Sequence, residues 1–254
     1  MWGSMSTCLV MQHVAPESAF TIEDALVAAG VTVDTRHVYA GDPIPEHVGN
    51  IDGLVVMGGP MSAASDQGFP TRDAELHLIA AAIALGIPTL GVCLGAQLLA
   101  VACGAPVYPG AHGSEIGWST VYCTESCEGD QIFADLPERL TVLQWHGDTF
   151  DLPADAHLLM SNSFYPNQAF RIGDMAWGVQ FHLEVDQDAV KGFLMAFASD
   201  AVDIPGGTQG VWEDTPAAVA TLAPVKELVL GRFAGLVASG VTSESLVGEG
   251  RTPA

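Results

Sequence analysis

The 254-residue chain is 49% hydrophobic and carries 30 Asp and Glu against 8 Lys and Arg, a formal charge of −22. That sign repels phosphate backbones and anionic bilayers, which excludes nucleic acid and membrane surfaces as partners, and no apolar run reaches the ~20 residues of a membrane span. Five cysteines, an odd number with no second metal-spaced pair beside Cys123 and Cys127, fit a reducing cytoplasm better than a disulfide framework or a zinc site.

Residues 1–5, with Met1-Trp2-Gly3-Ser4 ahead of Met5, are expected to be a non-native or disordered leader, and no secretion signal is read there. Residues 8–14 then read as a strand, 20–29 as a helix closed by Gly30, 31–38 and 53–57 as the second and third strands, and 71–85 as a helix. A β-branched apolar run at 87–92 and an apolar stretch of helical period at 94–103 follow. Residues 105–181 are expected to form short strands and turns with antiparallel pieces, and residues 186–199 a helix. The β-α alternation predicts a doubly wound α/β domain over residues 6–199, with a mostly parallel sheet flanked by helices and its site at the C-terminal strand ends, where Gly59 and Cys93 fall. Residues 200–212 read as a Pro/Gly-rich linker. Residues 213–240 are expected to be a helical extension, interrupted at Pro216 and Pro224, that either packs back on the core or forms a dimer contact. Residues 241–254 are expected to be a disordered tail.

Thr89-Leu90-Gly91-Val92-Cys93-Leu94-Gly95-Ala96-Gln97-Leu98 places a cysteine between two glycines where strand turns into helix. Gly91 and Gly95 have no Cβ to collide across so sharp a turn, and the side chain at its tip is pushed out above the sheet as a nucleophile elbow. The thiol then sits over the first N–H groups of the helix, which favour thiolate. The bland alternative is an ordinary buried cysteine. A nucleophile needs a base, and the base needs an orienting group. In Met175-Ala176-Trp177-Gly178-Val179-Gln180-Phe181-His182-Leu183-Glu184, the last His and Glu are two apart on extended chain and share a side. Glu184 can therefore hold one nitrogen of His182 and leave the other for Cys93.

The elbow Gly91-Val92-Cys93-Leu94-Gly95-Ala96-Gln97 and the segment Gly178-Val179-Gln180-Phe181-His182-Leu183-Glu184 resemble the two signature blocks of the class I glutamine amidotransferases, the Cys-His-Glu group. Val55-Val56-Met57-Gly58-Gly59-Pro60-Met61 resembles that family's oxyanion loop. Gln144-Trp145-His146-Gly147-Asp148 resembles the H-G-D segment of the branch similar to the glutaminase domain of GMP synthetase. These blocks span about residues 6–198 in the family's order. The resemblance implies a flavodoxin-like fold and a catalytic triad of Cys93, His182 and Glu184. It also implies an oxyanion hole from the N–H groups of Gly59 and Leu94, with substrate contacts at Gly58, Gln97 and Asp148. Asp148 would hold the α-ammonium group, and His146 either joins it or only shapes the pocket. Many members have proline where this chain has Leu183, which leaves the backbone less constrained there.

The expected chemistry is cleavage of the γ-amide of glutamine through a γ-glutamyl thioester on Cys93, with no cofactor and no metal. No P-loop and no pyrophosphatase loop is present to activate an acceptor. Either a separate synthetase subunit receives the ammonia, or the chain hydrolyses γ-glutamyl amines or peptides on its own. A non-catalytic regulatory subunit is the reading from another class, and the intact triad argues against it. A related α/β group whose elbow cysteine is followed directly by histidine does not fit, because Leu94 holds that place.

Overall fold

The computed structural model describes residues 5–240; the expectations for the leader up to Ser4 and for the tail at 241–254 lie outside them. Chain order runs β1 (Thr7–Gln12), α1 (Thr21–Ala28), β2 (Thr32–His37), β3 (Gly53–Val56), α2 (Arg72–Ala84), β4 (Thr89–Val92) and α3 (Leu94–Ala102). It continues through β5 (Val107–Pro109), β6 (Glu115–Cys123), β7 (Arg139–His146), β8 (Asp148–Phe150), β9 (Ala156–Ser161), β10 (Ala169–Ile172), β11 (Ala176–Val179), α4 (Gln187–Ala196) and α5 (Gly207–Ser239).

Nine strands form one sheet in the order β2-β1-β3-β4-β11-β10-β9-β6-β7. The first five are mutually parallel, and β10, β9, β6 and β7 extend the sheet by antiparallel pairing. Both faces of the inner parallel strands are covered, so β1, β3, β4 and β11 are buried at nearly every position rather than alternately, while the edge strand β2 is only partly buried. In β1, Cys8 and Val10 face the core that α1 and α5 share, while Leu9 and Met11 face the core of α2 and α3. The C-terminal ends of β1, β3, β4 and β11 meet along one edge, where an open α/β sheet binds its ligands.

The C-terminal helix departs from the sequence expectation. It begins at Gly207, inside the stretch read as linker, and runs unbroken through Pro216 and Pro224 to Ser239. An interior proline costs about 3 kcal/mol, whereas full burial of a Val, Leu or Phe contributes about 1.5–3 kcal/mol. Leu222, Val229, Leu230, Phe233 and Val237 are all exposed by 2% or less, so packing outweighs the two prolines. Of the two expected roles, α5 takes the first and packs on the core. It is tied there by Trp118, whose indole N–H donates to Thr215 Oγ1 at 3.1 Å, and by Lys226, whose Nζ donates to the Val185 carbonyl at 2.7 Å. Among the described residues no helix is long and apolar enough to cross a membrane.

Candidate active site

Cys93 sits between β4 and α3 with φ +53° and ψ −106°, a region sparsely populated by residues with a Cβ and a mark of stored backbone strain. Both flanking glycines are required by packing. A Cβ on Gly91 would stand 2.5 Å from the Gly95 carbonyl, and one on Gly95 only 1.9 Å from the Val56 carbonyl oxygen. The strain is held by the Cys93 N–H, which donates to Val179 O at 2.8 Å and so locks the elbow to β11.

β11 delivers the expected base. His182 Nδ1 lies 2.7 Å from Glu184 Oε1 with both side chains buried; a carboxylate only accepts, so Nδ1 carries the proton. His182 Nε2 is buried without a hydrogen bond, and its coupling to the Cys93 sulfur acts on both groups. Burial opposes the imidazolium, yet the Glu184 carboxylate and the sulfur outweigh it and hold His182 well above the ordinary histidine value. Burial pushes the Cys93 thiol up, opposed by His182 and by the Leu94 N–H that faces the sulfur. This corrects the expectation that the helix N-terminus activates the thiol by itself. Desolvation exceeds that contribution, with the coupling to His182 working against it.

The segment after His182 is rigid despite Leu183 in place of proline. The His182 N–H donates to Leu143 O at 2.8 Å, and the Glu184 carbonyl accepts from Thr21 Oγ1 at 2.7 Å and from the Thr21 N–H at 3.3 Å. Lys226 holds Val185, and Asp186 caps α4 by accepting the Ala189 N–H at 2.8 Å. Hydrogen bonds from α1, α5 and β7 thus replace the conformational restriction that a proline ring would give.

A cavity of about 410 Å³ opens over the sulfur, lined by Cys93, Leu94, Gly59, Gln97, His146 and Asp148 among others. Every expected site residue lies at or beside it. Gly58, His182 and Glu184 lie behind its wall rather than on it; the Gly58 carbonyl accepts from His13 Nδ1 at 3.1 Å. Gln97 Nε2 donates to Gln180 Oε1 at 3.1 Å and to the Asp148 carbonyl at 3.3 Å. Asp148 Oδ2 accepts from Ser62 Oγ at 2.6 Å. His146 Nδ1 donates to the Asp148 carbonyl at 2.9 Å, while Nε2 stands 3.4 Å from Glu115 Oε2. Burial raises the Glu115 carboxyl, but His146, Ser119 and Asn162 outweigh it and bring it below the ordinary value. Among the described residues, no group of three His, Cys, Asp or Glu side chains is placed to hold a metal ion.

Three features were not anticipated. Gln180, fully buried, aims Nε2 at the Cys93 sulfur at 3.7 Å and ties the nucleophile to Gln97. His13 and Glu75, both with fully buried side chains, form a 2.7 Å pair that anchors the Gly58 carbonyl and with it the Gly58-Gly59 turn. Glu17, 6% exposed, lines the cavity, and its Oε2 stands 1.9 Å from where a Gly58 Cβ would lie, with His182 Cε1 3.3 Å from the same point. Gly58 is therefore a glycine because Glu17 occupies the space. The one sequence signal for His13 and Glu17 is their position just past the C-terminal end of β1, the edge where this fold builds sites.

The family model for glutamine amidotransferase class I matches residues 18–197. The chain is 33% identical over 181 residues, 70% of its length and 75% of the relative's, to the glutamine amidotransferase-like protein YfeJ of Salmonella typhimurium. It is 32% identical over 252 residues to the glutamine-hydrolyzing GMP synthase of Streptococcus mutans, of which it spans 44%. The crystal structure of a glutamine amidotransferase from Thermotoga maritima superposes with a TM-score of 0.82 at 30% identity, covering 91% of this chain and 99% of that one. One from Methylobacillus flagellatus gives 0.83 at 27% identity, covering 94% and 96%. The match over most of the chain, on the same fold, shows that it belongs to the class I glutamine amidotransferase family.

Proposed function

We propose that the chain hydrolyses γ-glutamyl amides, glutamine among them, through a thioester on Cys93. The observation that carries this reading is the buried chain of groups Glu184, His182 and Cys93, with the sulfur raised on a strained elbow into the cavity. His182 Nε2 takes the thiol proton as sulfur attacks the γ-carbonyl carbon. The C–N bond breaks, and the same proton passes to the departing nitrogen. Water, deprotonated by His182, then adds to the thioester; the C–S bond breaks, glutamate leaves, and the proton returns to sulfur.

The N–H groups of Gly59 and Leu94 are assigned to the oxyanion; loss of one such donor costs of order 3 kcal/mol in the barrier. The His13–Glu75 pair fixes the first of them through Gly58. Gln97, Ser62 and Asp148 make a polar wall suited to the α-amino acid end of the substrate, and Asp148 supplies the charge for its ammonium. His146, held by Asp148 O and Glu115, shapes that wall.

The chain spans 44% of the length of the Streptococcus mutans GMP synthase, and the reading names no acceptor for the ammonia. Incubation with a glutamine analogue bearing an electrophilic γ-carbon tests it. Mass spectrometry should find one adduct, on Cys93, that excess glutamine suppresses; no adduct, or one on Cys123 instead, overturns the assignment.

A further inference from the structure

The cavity wall holds three carboxylates, Glu17, Asp148 and Asp200, and no Lys or Arg. Two of the three have partners: Asp148 accepts from Ser62, and Asp200 accepts from the Trp145 indole N–H at 3.2 Å and from Ser199. Glu17 has none. The residue is 6% exposed, its carboxylate faces the cavity, and it makes no hydrogen bond or ion pair among the described residues. A buried carboxylate without a partner is costly and calls for a cation or donor that the free protein lacks.

The catalytic geometry says what that partner is. The leaving nitrogen must lie at His182 to receive its proton, and Glu17 Oε2 and His182 Cε1 converge on the same point above Gly58. Glu17 therefore stands beside His182, on the side where the leaving group must lie. The same cavity is lined by the rings of Trp145 and Phe197, with centroids 6.4 Å apart, and by the exposed Asp200 hydrogen-bonded to the Trp145 indole. Aromatic rings beside a carboxylate suit a methylene chain that ends in an ammonium group.

We propose that the leaving-group side of this site takes a cationic amine, so that the substrate class is the γ-glutamyl conjugate of a diamine or polyamine. Glu17 accepts the N–H of the departing amine and neutralises it once protonated, Trp145 and Phe197 cover its carbons, and Asp200 meets its distal ammonium. The assignment deepens the amide-hydrolase reading and rests on it for the orientation of the substrate.

Two measurements separate the two claims. In the first, Cys93 is modified by a cationic aminoethyl methanethiosulfonate and by its anionic sulfonatoethyl counterpart, with Cys123 in the same sample reporting the field of the whole acidic protein. The cation-to-anion rate ratio at Cys93 should exceed that at Cys123 by about tenfold or more, and Asp200→Asn and Glu17→Gln should each reduce it. In the second, kcat/KM is compared for γ-glutamyl conjugates of 1,4-diaminobutane, n-butylamine and 4-aminobutyrate, which differ in the charge of one leaving group. The order cation, neutral, anion is expected, with the first two about tenfold apart, and Asp200→Asn should narrow that gap. Equal ratios at the two cysteines, or no preference among the conjugates, overturns the cationic subsite. A retained ratio at Cys93 with no hydrolysis of any conjugate overturns the hydrolase reading and leaves the subsite standing.

Discussion

Gly95→Ala should show how tightly the elbow is built. The added Cβ would sit 1.9 Å from the Val56 carbonyl oxygen, 2.7 Å from its carbon and 3.1 Å from Val56 Cβ. Ordinary contact begins near 3.4 Å, and the atoms in the way are backbone of a central strand, so α3 and β3 must part by more than 1 Å. Overpacking of this kind costs about 1–3 kcal/mol, and at about 2–4 °C per kcal/mol for a domain of this size the melting temperature should fall by about 2–12 °C. The same displacement moves Cys93 and the Leu94 N–H away from Gly59, and a 1 Å misplacement costs about 10²-fold in rate. Thermal unfolding by circular dichroism and the rate of Cys93 alkylation by the electrophilic glutamine analogue read the two effects. Gly192→Ala in α4, where a Cβ meets nothing within 4 Å, should have the opposite sign and stabilise by about 0.5–1 kcal/mol. A Gly95→Ala protein with wild-type melting temperature and alkylation rate would refute the packing argument for the elbow.

Glu184→Gln keeps the shape of the His182 contact but removes the charge that outweighs burial, so the His182 titration seen in the pH profile of Cys93 alkylation should move to lower pH. Turnover should fall by about 10²–10⁴-fold. Asp186→Ala removes the α4 cap and should cost about 0.5–2 kcal/mol in urea unfolding; no change in the midpoint would count against that capping role. Glu17 gives a pH test of burial. Desolvation, with the Glu184 charge, raises its carboxyl against the pull of His182 and His13, so the folded state disfavours the ionised form. Stability therefore declines as pH rises from the ordinary glutamate value through the raised one. Glu17→Gln should melt higher than wild type at about pH 8 and show no advantage below about pH 4; an advantage independent of pH would contradict it.

The convergence of Cys93, His182 and Glu184 was legible because each lies in a short segment whose local geometry dictates where the side chain points. The elbow needs Gly91 and Gly95, and the two-residue spacing of His182 and Glu184 on extended chain puts them on one side. The parallel half of the sheet was legible for a similar reason, since strands buried on both faces read as continuous apolar runs. Other features depend on partners distant in sequence. His13 meets Glu75, and Glu17 meets the space above Gly58, only after β1, β3 and α2 assemble. The ties that steady Glu184 come from Thr21 on one side and, through Val185, from Lys226 on the other. The start of α5 was misread because Pro216 and the glycines at 206, 207 and 210 are local signals against helix, and the apolar face buried further along overrides them. The helix N–H beside the thiol was legible in sequence, whereas the burial that opposes it was not.

The most direct test is glutamate release by the purified chain from glutamine and from γ-glutamyl amines, beside Cys93→Ala. Turnover that vanishes with Cys93→Ala, in a variant that still folds and melts as wild type, is the expected result. Equal glutamate release by both proteins, or none from any γ-glutamyl amide, would contradict a Cys93 thioester as the centre of this protein's chemistry.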